Sequence, residues 1–225
     1  MHLKKVINLH LSNGEVKKHE INIKKVIVVG YGGRNIEKIQ EHIDELSELG
    51  IAPPPSVPMI YPQKLEQLNF SNECQGSRYS SGEAEYILFH DGKEWLVTLG
   101  SDHTDREVEK EDILKSKLIC DKPIASDFWR LADLKEDWDN IILRSYVTSN
   151  GEKYLYQEDT LEALLEVDVL FGKLDSLGEK DLENTVIYSG TVPTKSGFIF
   201  GEKFEYEIEH PKLNRKIKHH YSIVN

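Results

Sequence analysis

EAEYILFHDGKEWLVTLGSD, residues 83–102 of a 225-residue chain, contains two apolar runs on either side of Asp91-Gly92. An Asp-Gly pair tolerates the positive φ angles of a tight turn between two strands. Tyr86–His90 and Trp95–Leu99 are therefore predicted to form an antiparallel hairpin.

Three carboxylates lie at one end of this predicted hairpin. Residues i and i+2 of a strand project from the same face, so Glu83 and Glu85 can converge on one point. The return strand brings Asp102 to the same end, and three oxygen ligands with open positions suit Mg²⁺ or Mn²⁺. Such anions would repel one another and raise each other's pKa unless a cation compensates. The alternative interpretation is a pair of solvated strand-edge charges followed by an ordinary polar loop.

The rest of the chain continues a β-rich pattern, with Asn13-Gly14 and Asn150-Gly151 marking two further hairpins. The predicted strands are Val6–Leu11, Val16–Ile23, Val26–Val29, Ile141–Thr148, Lys153–Tyr156, Thr185–Tyr188, Phe204–Ile208 and Lys216–Val224. The predicted helices are one from Ile36 to Leu49 that stops at Gly50, then Lys110–Ile119 and Leu161–Leu170. No repeat or polar linker interrupts the sequence. We expect one α+β domain over residues 1–225, a mixed, rolled-up sheet with the hairpin of residues 1–24 packed on it.

Composition excludes several classes of protein. With 28 basic and 39 acidic residues and a net charge of -11, the chain lacks the basic surface that nucleic-acid binding needs. No run approaches the roughly 18 apolar residues of a membrane span. The start of the chain lacks the apolar core of a signal peptide, which predicts a cytoplasmic protein. Cys74 and Cys120 lie far apart, so they are predicted to be reduced, structural thiols.

Other polar features carry candidate chemistry beside an ordinary structural alternative. Residues 30–33 form a glycine-rich turn whose spacing matches no nucleotide-binding fingerprint, so we expect it to line a cleft. His42 and Glu45 are neighbours on a helix, where Glu45 could orient His42 as a general base or simply form an exposed pair. Lys117 is either a surface lysine or, if it is buried beside the metal, an oxyanion stabiliser.

Several motifs occur together in an order that resembles the fumarylacetoacetate hydrolase superfamily, over nearly the whole chain from Val26 to Val224. The matching motifs are Val28-Val29-Gly30, His42-x-x-Glu45, Pro58, Glu83-x-Glu85, residues 101–107, Lys117, Asn150-Gly151-Glu152, Gly190-Thr191 and Gly201-Glu202. The chain departs from the family's pattern at Ser101, which replaces asparagine, and at Val192, which replaces proline. A non-catalytic binding protein for an acid metabolite is therefore the second hypothesis.

The resemblance implies a β-rich α+β fold, the mixed β-roll of that superfamily with short peripheral helices, in a homodimer. It also implies a metal-dependent hydrolase or lyase that holds Mg²⁺ or Mn²⁺ on Glu83, Glu85 and Asp102. The expected substrate is a small 2-oxo or 1,3-dioxo acid. The first expected reaction is hydrolysis of a C–C bond in an acylpyruvate-like substrate. Dehydration of a sugar-derived 2-oxo acid and decarboxylation are the alternatives. The implied catalytic residues are His42, Glu45 and Lys117. The implied substrate-binding residues are Gly30, Tyr31, Arg34, His103, Arg106, Gly190 and Thr191.

Overall fold

A computed structural model of the chain describes residues 2–48 and 52–224, except for the side chains of His42, Glu45 and Leu46. Its strands are β1 (Leu3–His10), β2 (Val16–Ile23), β3 (Lys25–Gly30), β4 (Met59–Gln63), β5 (Leu68–Asn69), β6 (Glu73–Gln75), β7 (Ser80–Ser81), β8 (Ala84–His90), β9 (Trp95–Ser101), β10 (Thr104–Asp105), β11 (Lys122–Pro123), β12 (Asp127–Arg130), β13 (Ile142–Ser149), β14 (Glu152–Thr160), β15 (Thr185–Thr191), β16 (Lys203–His210) and β17 (Arg215–Val224). Its helices are α1 (Ile36–Glu48), α2 (Arg106–Glu109), α3 (Ile113–Leu118) and α4 (Val167–Ser176).

Two sheets make up most of the molecule. The larger one has the strand order β2-β1-β12-β9-β8-β15-β3-β4, and the smaller one has the order β14-β13-β16-β17-β6. Two-stranded pairs β10-β7 and β11-β5 complete the pattern. The larger sheet is mixed, because β1 pairs with β12 and β15 pairs with β3 in parallel, while its other strand pairs are antiparallel. The β-rich α+β class and the mixed sheet that the sequence predicts are confirmed.

The larger sheet is buried on both faces. Tyr86 and Leu88 of β8 face a core that is shared with the smaller sheet, whereas Ile87 and Phe89 belong to a second core on the opposite face. Side chains from both edge strands, β2 and β4, enter this second core. The sheet therefore curls around it, which explains the near-continuous apolar runs in β3, β8 and β15.

The hairpin predictions hold, but two helix predictions differ from the structure. The helix predicted over Lys110–Ile119 is shorter, as α3, and a separate short helix, α2, precedes it. Helix α3 begins at Ile113 because the Asp112 side chain caps it by accepting from the backbone N–H of Lys115. Leu161–Leu170 forms a 3-10 turn over Leu161–Ala163 and only then α4. The N-terminal hairpin, β1 and β2, extends the edge of the larger sheet. Gly50, the predicted end of the first helix, lies outside the described residues.

Two features bear on the predictions from composition. Cys74 and Cys120 are free thiols and both are buried, as predicted. Within residues 2–48 and 52–224, no helix is both long enough and apolar enough to cross a membrane.

Candidate metal centre

The β8–β9 hairpin gathers the three predicted carboxylates at its open end. Ala84 pairs with Ser101, and one step further out the backbone N–H of Asp102 donates to the Glu83 carbonyl at 3.0 Å. Glu83, Glu85 and Asp102 each offer a carboxylate oxygen, and these three oxygens lie within 4.8 Å of one another. The convergence that the hairpin predicts is thus present.

Two lysines neutralise Asp102, which is fully buried. Lys117 Nζ lies 2.5 Å from Asp102 Oδ2, and Lys122 Nζ lies 3.1 Å from Oδ1. Burial opposes ionisation of Asp102, but the two ammonium groups outweigh it and lower its pKa to about 2. Lys122 also donates to the carbonyls of His103 and Lys117. For Asp102 the compensating cations are therefore two lysines, whereas the sequence analysis expected a divalent metal ion in that place.

Lys117 is buried beside the carboxylates, which is the condition that sequence analysis set for a functional lysine. Burial favours its neutral form, but the charges of Asp102 and Glu83 outweigh that cost and raise its pKa. Its Nζ is also 3.8 Å from Glu83 Oε2. Lys117 is thus a fixed positive charge at the cluster. Lys122 was not predicted to lie at the cluster, because a lysine is a surface residue by default.

Glu85 has the opposite electrostatic situation. It is buried, and no ion pair to it is present among the described residues. Burial and the nearby charges of Asp102 and Glu83 raise the pKa of Glu85 well above its usual range. Glu85 is therefore the carboxylate of the cluster whose ionised form would gain most from an added cation.

Gly190 and Thr191 lie next to Glu85 on the neighbouring strand, β15. The Gly190 N–H donates to Glu85 Oε2 at 2.8 Å, from a backbone with a φ of 100°. The Thr191 hydroxyl donates to the Ala84 carbonyl and accepts from Gln157, each at 2.8 Å. The structure brings both predicted residues to the cluster, where Gly190 fixes a carboxylate and the Thr191 hydroxyl bonds to protein groups.

Arg106 forms an ion pair with Glu83, the carboxylate of the cluster that is only partly buried. Its guanidinium donates to the Ser81 hydroxyl at 2.7 Å and to Glu109 at 2.9 Å, and it lies 3.0 Å from Glu83 Oε1. The ring of Phe198, which is half-exposed, stacks on the guanidinium at 4.3 Å. Arg106 thus contacts a predicted metal ligand directly, in a buried position.

His103 follows Asp102 in sequence but points into the protein. Its Nδ1 bonds the Tyr221 hydroxyl at 2.9 Å and its Nε2 bonds the Ser80 hydroxyl at 2.8 Å. Burial, with Lys122 and Arg106 nearby, lowers its pKa to about 3. Both ring nitrogens are engaged by buried hydroxyl groups, so the structure gives His103 a packing role instead of the predicted contact with substrate.

Gly30 and Tyr31 are brought to the cluster by the end of β3. A Cβ on Gly30 would lie 2.6 Å from Cε2 of Tyr61, so only glycine leaves room for that ring. The Lys117 ammonium lies over the same ring, 5.7 Å from its centroid. Tyr31 interacts with both Tyr61 and Lys117. That the glycine-rich turn lines a cleft stays a prediction. Tyr61 was missed because β4 was not predicted.

Of the three remaining predicted residues, only Arg34 has a described side chain. The Arg34 guanidinium forms a bidentate ion pair with Asp139, at 2.9 and 2.7 Å, and donates to the Leu164 carbonyl. It thereby ties the turn after β3 to distant segments of the chain. The backbones of His42 and Glu45 lie in α1, but their side chains lie outside the described part of the chain, so their catalytic role stays a prediction.

Sequence comparison identifies one protein family. The sequence model described as "Protein of unknown function (DUF2848)" matches residues 29–221. No curated protein sequence matches the chain.

Solved structures match over nearly the full length of the chain. The inhibitor complex of Cg1458 has a TM-score of 0.63 at 16% identity and covers 100% of this chain and 89% of its own. A hexagonal crystal form of 2-keto-3-deoxyarabinonate dehydratase has a TM-score of 0.60 at 14% identity, covering 94% and 84%. The 2-keto-3-deoxy-D-arabinonate dehydratase complexed with magnesium and 2,5-dioxopentanoate has a TM-score of 0.58 at 13% identity, covering 94% and 84%. This chain therefore has the same fold as these proteins.

Proposed function

The chain belongs to the DUF2848 family, and we propose that it is a Mg²⁺-dependent enzyme of the fumarylacetoacetate hydrolase superfamily that removes water from a small hydroxylated 2-oxo acid. The observation that carries this proposal is the cluster of Glu83, Glu85 and Asp102 with Lys117 against it. It occurs in a fold shared with a dehydratase that is complexed with magnesium.

The donor set fits a hard divalent cation. Glu83, Glu85 and Asp102 each offer a carboxylate oxygen within 4.8 Å of the others, and carboxylate oxygens are the ligands that Mg²⁺ prefers. Asp102 Oδ1 is buried and has no hydrogen bond of good geometry, although Lys122 is 3.1 Å away. Glu85 resists ionisation without a further cation. Glu83, Glu85 and Asp102 would hold the ion.

Elimination requires a C–H bond beside the carbonyl and a C–O bond to the β-hydroxyl to break, with the proton and the hydroxyl leaving together as water. When bound, Mg²⁺ would supply positive charge against the electron density that gathers on the 2-oxo oxygen. Lys117 adds a fixed charge at the same place, because its pKa is raised and it stays protonated. Arg106 and Lys122 offset the charges of Glu83 and Asp102, so a bound Mg²⁺ would leave the site positive enough to favour an acid anion.

In the proposed elimination, the predicted pair His42 and Glu45 transfers the proton. In hydrolysis of a C–C bond, the same pair would activate a water molecule. His103 cannot take that part, because both of its nitrogens are bonded and it is buried. We place elimination first because the fold is shared with a dehydratase; C–C hydrolysis, decarboxylation and binding without turnover are the outcomes that a test must separate.

Mass balance distinguishes these reactions. The purified chain is incubated with Mg²⁺ and either 2-keto-3-deoxyarabinonate or an acylpyruvate, and the products are identified by mass spectrometry. Elimination gives one product lighter by one water, hydrolysis gives two acids that together are heavier by one water, and decarboxylation gives loss of CO₂. EDTA and Glu85→Gln should abolish turnover, whereas Glu73→Gln, an exposed glutamate on β6, should keep it. Wild type that binds both acids but converts neither would contradict the proposal.

A further inference from the structure

Tyr61 is a buried tyrosine that contacts two groups of the candidate site. It pairs with Val28 across β4 and β3, and its side chain is 6% exposed. The glycine at position 30 is what admits its ring, since a Cβ there would approach Cε2 to 2.6 Å. The space beside Gly30 thus holds the Tyr61 ring, which the sequence motifs did not reveal.

The ring and the hydroxyl of Tyr61 have different neighbours. The Lys117 ammonium lies over the ring, 5.7 Å from its centroid, so Lys117 has Asp102 as one contact and an aromatic ring as another. The hydroxyl shares a hydrogen bond with the hydroxyl of Tyr31. Tyr61 therefore lies beside both the Lys117 ammonium and the half-buried Tyr31 phenol.

Tyr31 is held in an unusual backbone conformation. Its φ is 58°, in the left-handed region that non-glycine residues enter at a cost of roughly 1–2 kcal/mol. Such strain persists where the surroundings enforce it, and it gathers at binding sites. Burial raises the pKa of both phenols; within the pair, the hydrogen bond raises that of Tyr61 and lowers that of Tyr31. Either phenol can be the donor in such a pair, and Tyr61 donating to Tyr31 is the arrangement that leaves the Tyr31 proton for a ligand.

We infer that Tyr61 is a positioning residue, which holds the Tyr31 hydroxyl and the Lys117 ammonium side by side as two donors for one oxygen of a bound acid. The identity of that acid as a 2-oxo acid rests on the proposed function. The arrangement itself rests on the contacts of Tyr61. It assigns a role to a residue that lies outside the predicted motifs, and it explains the need for glycine at position 30.

Oxalate, an inert analogue of a 2-oxo acid, tests this inference by calorimetry with saturating Mg²⁺. Tyr31→Phe should weaken oxalate binding about tenfold, the effect of losing one hydrogen bond to an anion. Tyr61→Phe should weaken it similarly, because its hydroxyl acts through Tyr31. The double variant should be no weaker than Tyr31→Phe alone, and the affinity for Mg²⁺ should be unchanged in all three. Tyr206→Phe, which removes the hydroxyl of another buried tyrosine, is the control and should bind as wild type does.

Several results would overturn the inference. The first is that the losses of oxalate affinity in Tyr31→Phe and Tyr61→Phe add in the double variant, and the second is that Tyr61→Phe binds oxalate like wild type. The third is that Tyr206→Phe loses as much oxalate affinity as they do. The fourth is that wild type binds no oxalate in the presence of Mg²⁺. Failure of the proposed function looks different. In that case oxalate binds and its affinity changes in the tyrosine variants as expected, but the protein does not convert hydroxylated 2-oxo acids to any product.

Discussion

At the scale of single residues, Asp102 and Glu85 have opposite electrostatic surroundings. Asp102 is paired with two buried ammonium groups, whereas burial and neighbouring anions raise the pKa of Glu85. Asp102→Asn would leave Lys117 and Lys122 without that ionised partner, which typically costs about 3–5 kcal/mol. We therefore expect Asp102→Asn to lower the free energy of unfolding in EDTA by about that amount, measured by urea titration.

Glu85→Gln is the matched control for this prediction. It removes a carboxylate that is already unfavourable when ionised, so the metal-free variant should be as stable as wild type or slightly more stable at neutral pH. Both variants should lose the increase in melting temperature that Mg²⁺ gives to wild type. An Asp102→Asn protein as stable as wild type in EDTA would show that the two lysines do not depend on Asp102.

His103 gives the protein a specific sensitivity to acid. Burial lowers its pKa to about 3, against about 6.5 in an unfolded chain, so the unfolded state takes up the proton first as pH falls. The stabilisation is complete above pH 6.5 and is lost as pH falls towards 3. Wild type should lose up to about 1.4 kcal/mol per pH unit more than His103→Gln across this window. Urea unfolding at pH 6.5, 5.5 and 4.5 checks this, and parallel profiles for the two proteins would refute it.

At the scale of elements, the irregular end of β15 positions a metal ligand. The register with β8 shifts between Tyr188 and Thr191, and Gly190, with its positive φ, points its N–H at Glu85. Gly190→Ala should cost roughly 1 kcal/mol of stability from backbone strain and should also weaken Mg²⁺ binding, since that N–H moves.

Gly178→Ala separates strain from the loss of the ligand contact. Gly178 has a φ of 94° and an added Cβ would meet nothing within 4 Å. It should lose a similar amount of stability in thermal melts and keep the Mg²⁺ affinity of wild type in calorimetry. Equal Mg²⁺ affinities in the two alanine variants would mean that the Gly190 N–H does not help to hold Glu85 in place.

The elements also show what sequence can and cannot predict here. The β8–β9 hairpin and its three carboxylates follow from alternation, a turn pair and strand geometry, all of which are local. Lys122 and Tyr61 reach the site through non-local pairings, β11 with β5 and β3 with β4, which no local pattern encodes. The engagement of both His103 nitrogens likewise depends on Tyr221, near the far end of the chain.

At the scale of the whole molecule, we propose that the chain forms a homodimer, as its resemblance to the fumarylacetoacetate hydrolase superfamily implies. Tyr79, Phe198 and Phe200 are substantially exposed, and Tyr79 packs edge-on against Phe200. Exposed aromatic groups of this kind are common at protein interfaces. With a net charge of -11 per chain, association should strengthen when salt screens repulsion. Light scattering at moderate salt should give twice 25.9 kDa, and a species of only 25.9 kDa would contradict the dimer.

The central claim is that the hairpin cluster holds one divalent cation, on which the proposed chemistry depends. Calorimetric titration of Mg²⁺ into the metal-free protein tests this claim most directly. We predict one ion bound per chain in wild type and none in Glu85→Gln, with Glu73→Gln binding as wild type does. Wild type that takes up no Mg²⁺ at millimolar concentration, or a Glu85→Gln variant that binds it equally well, would contradict the claim and the enzyme proposed from it.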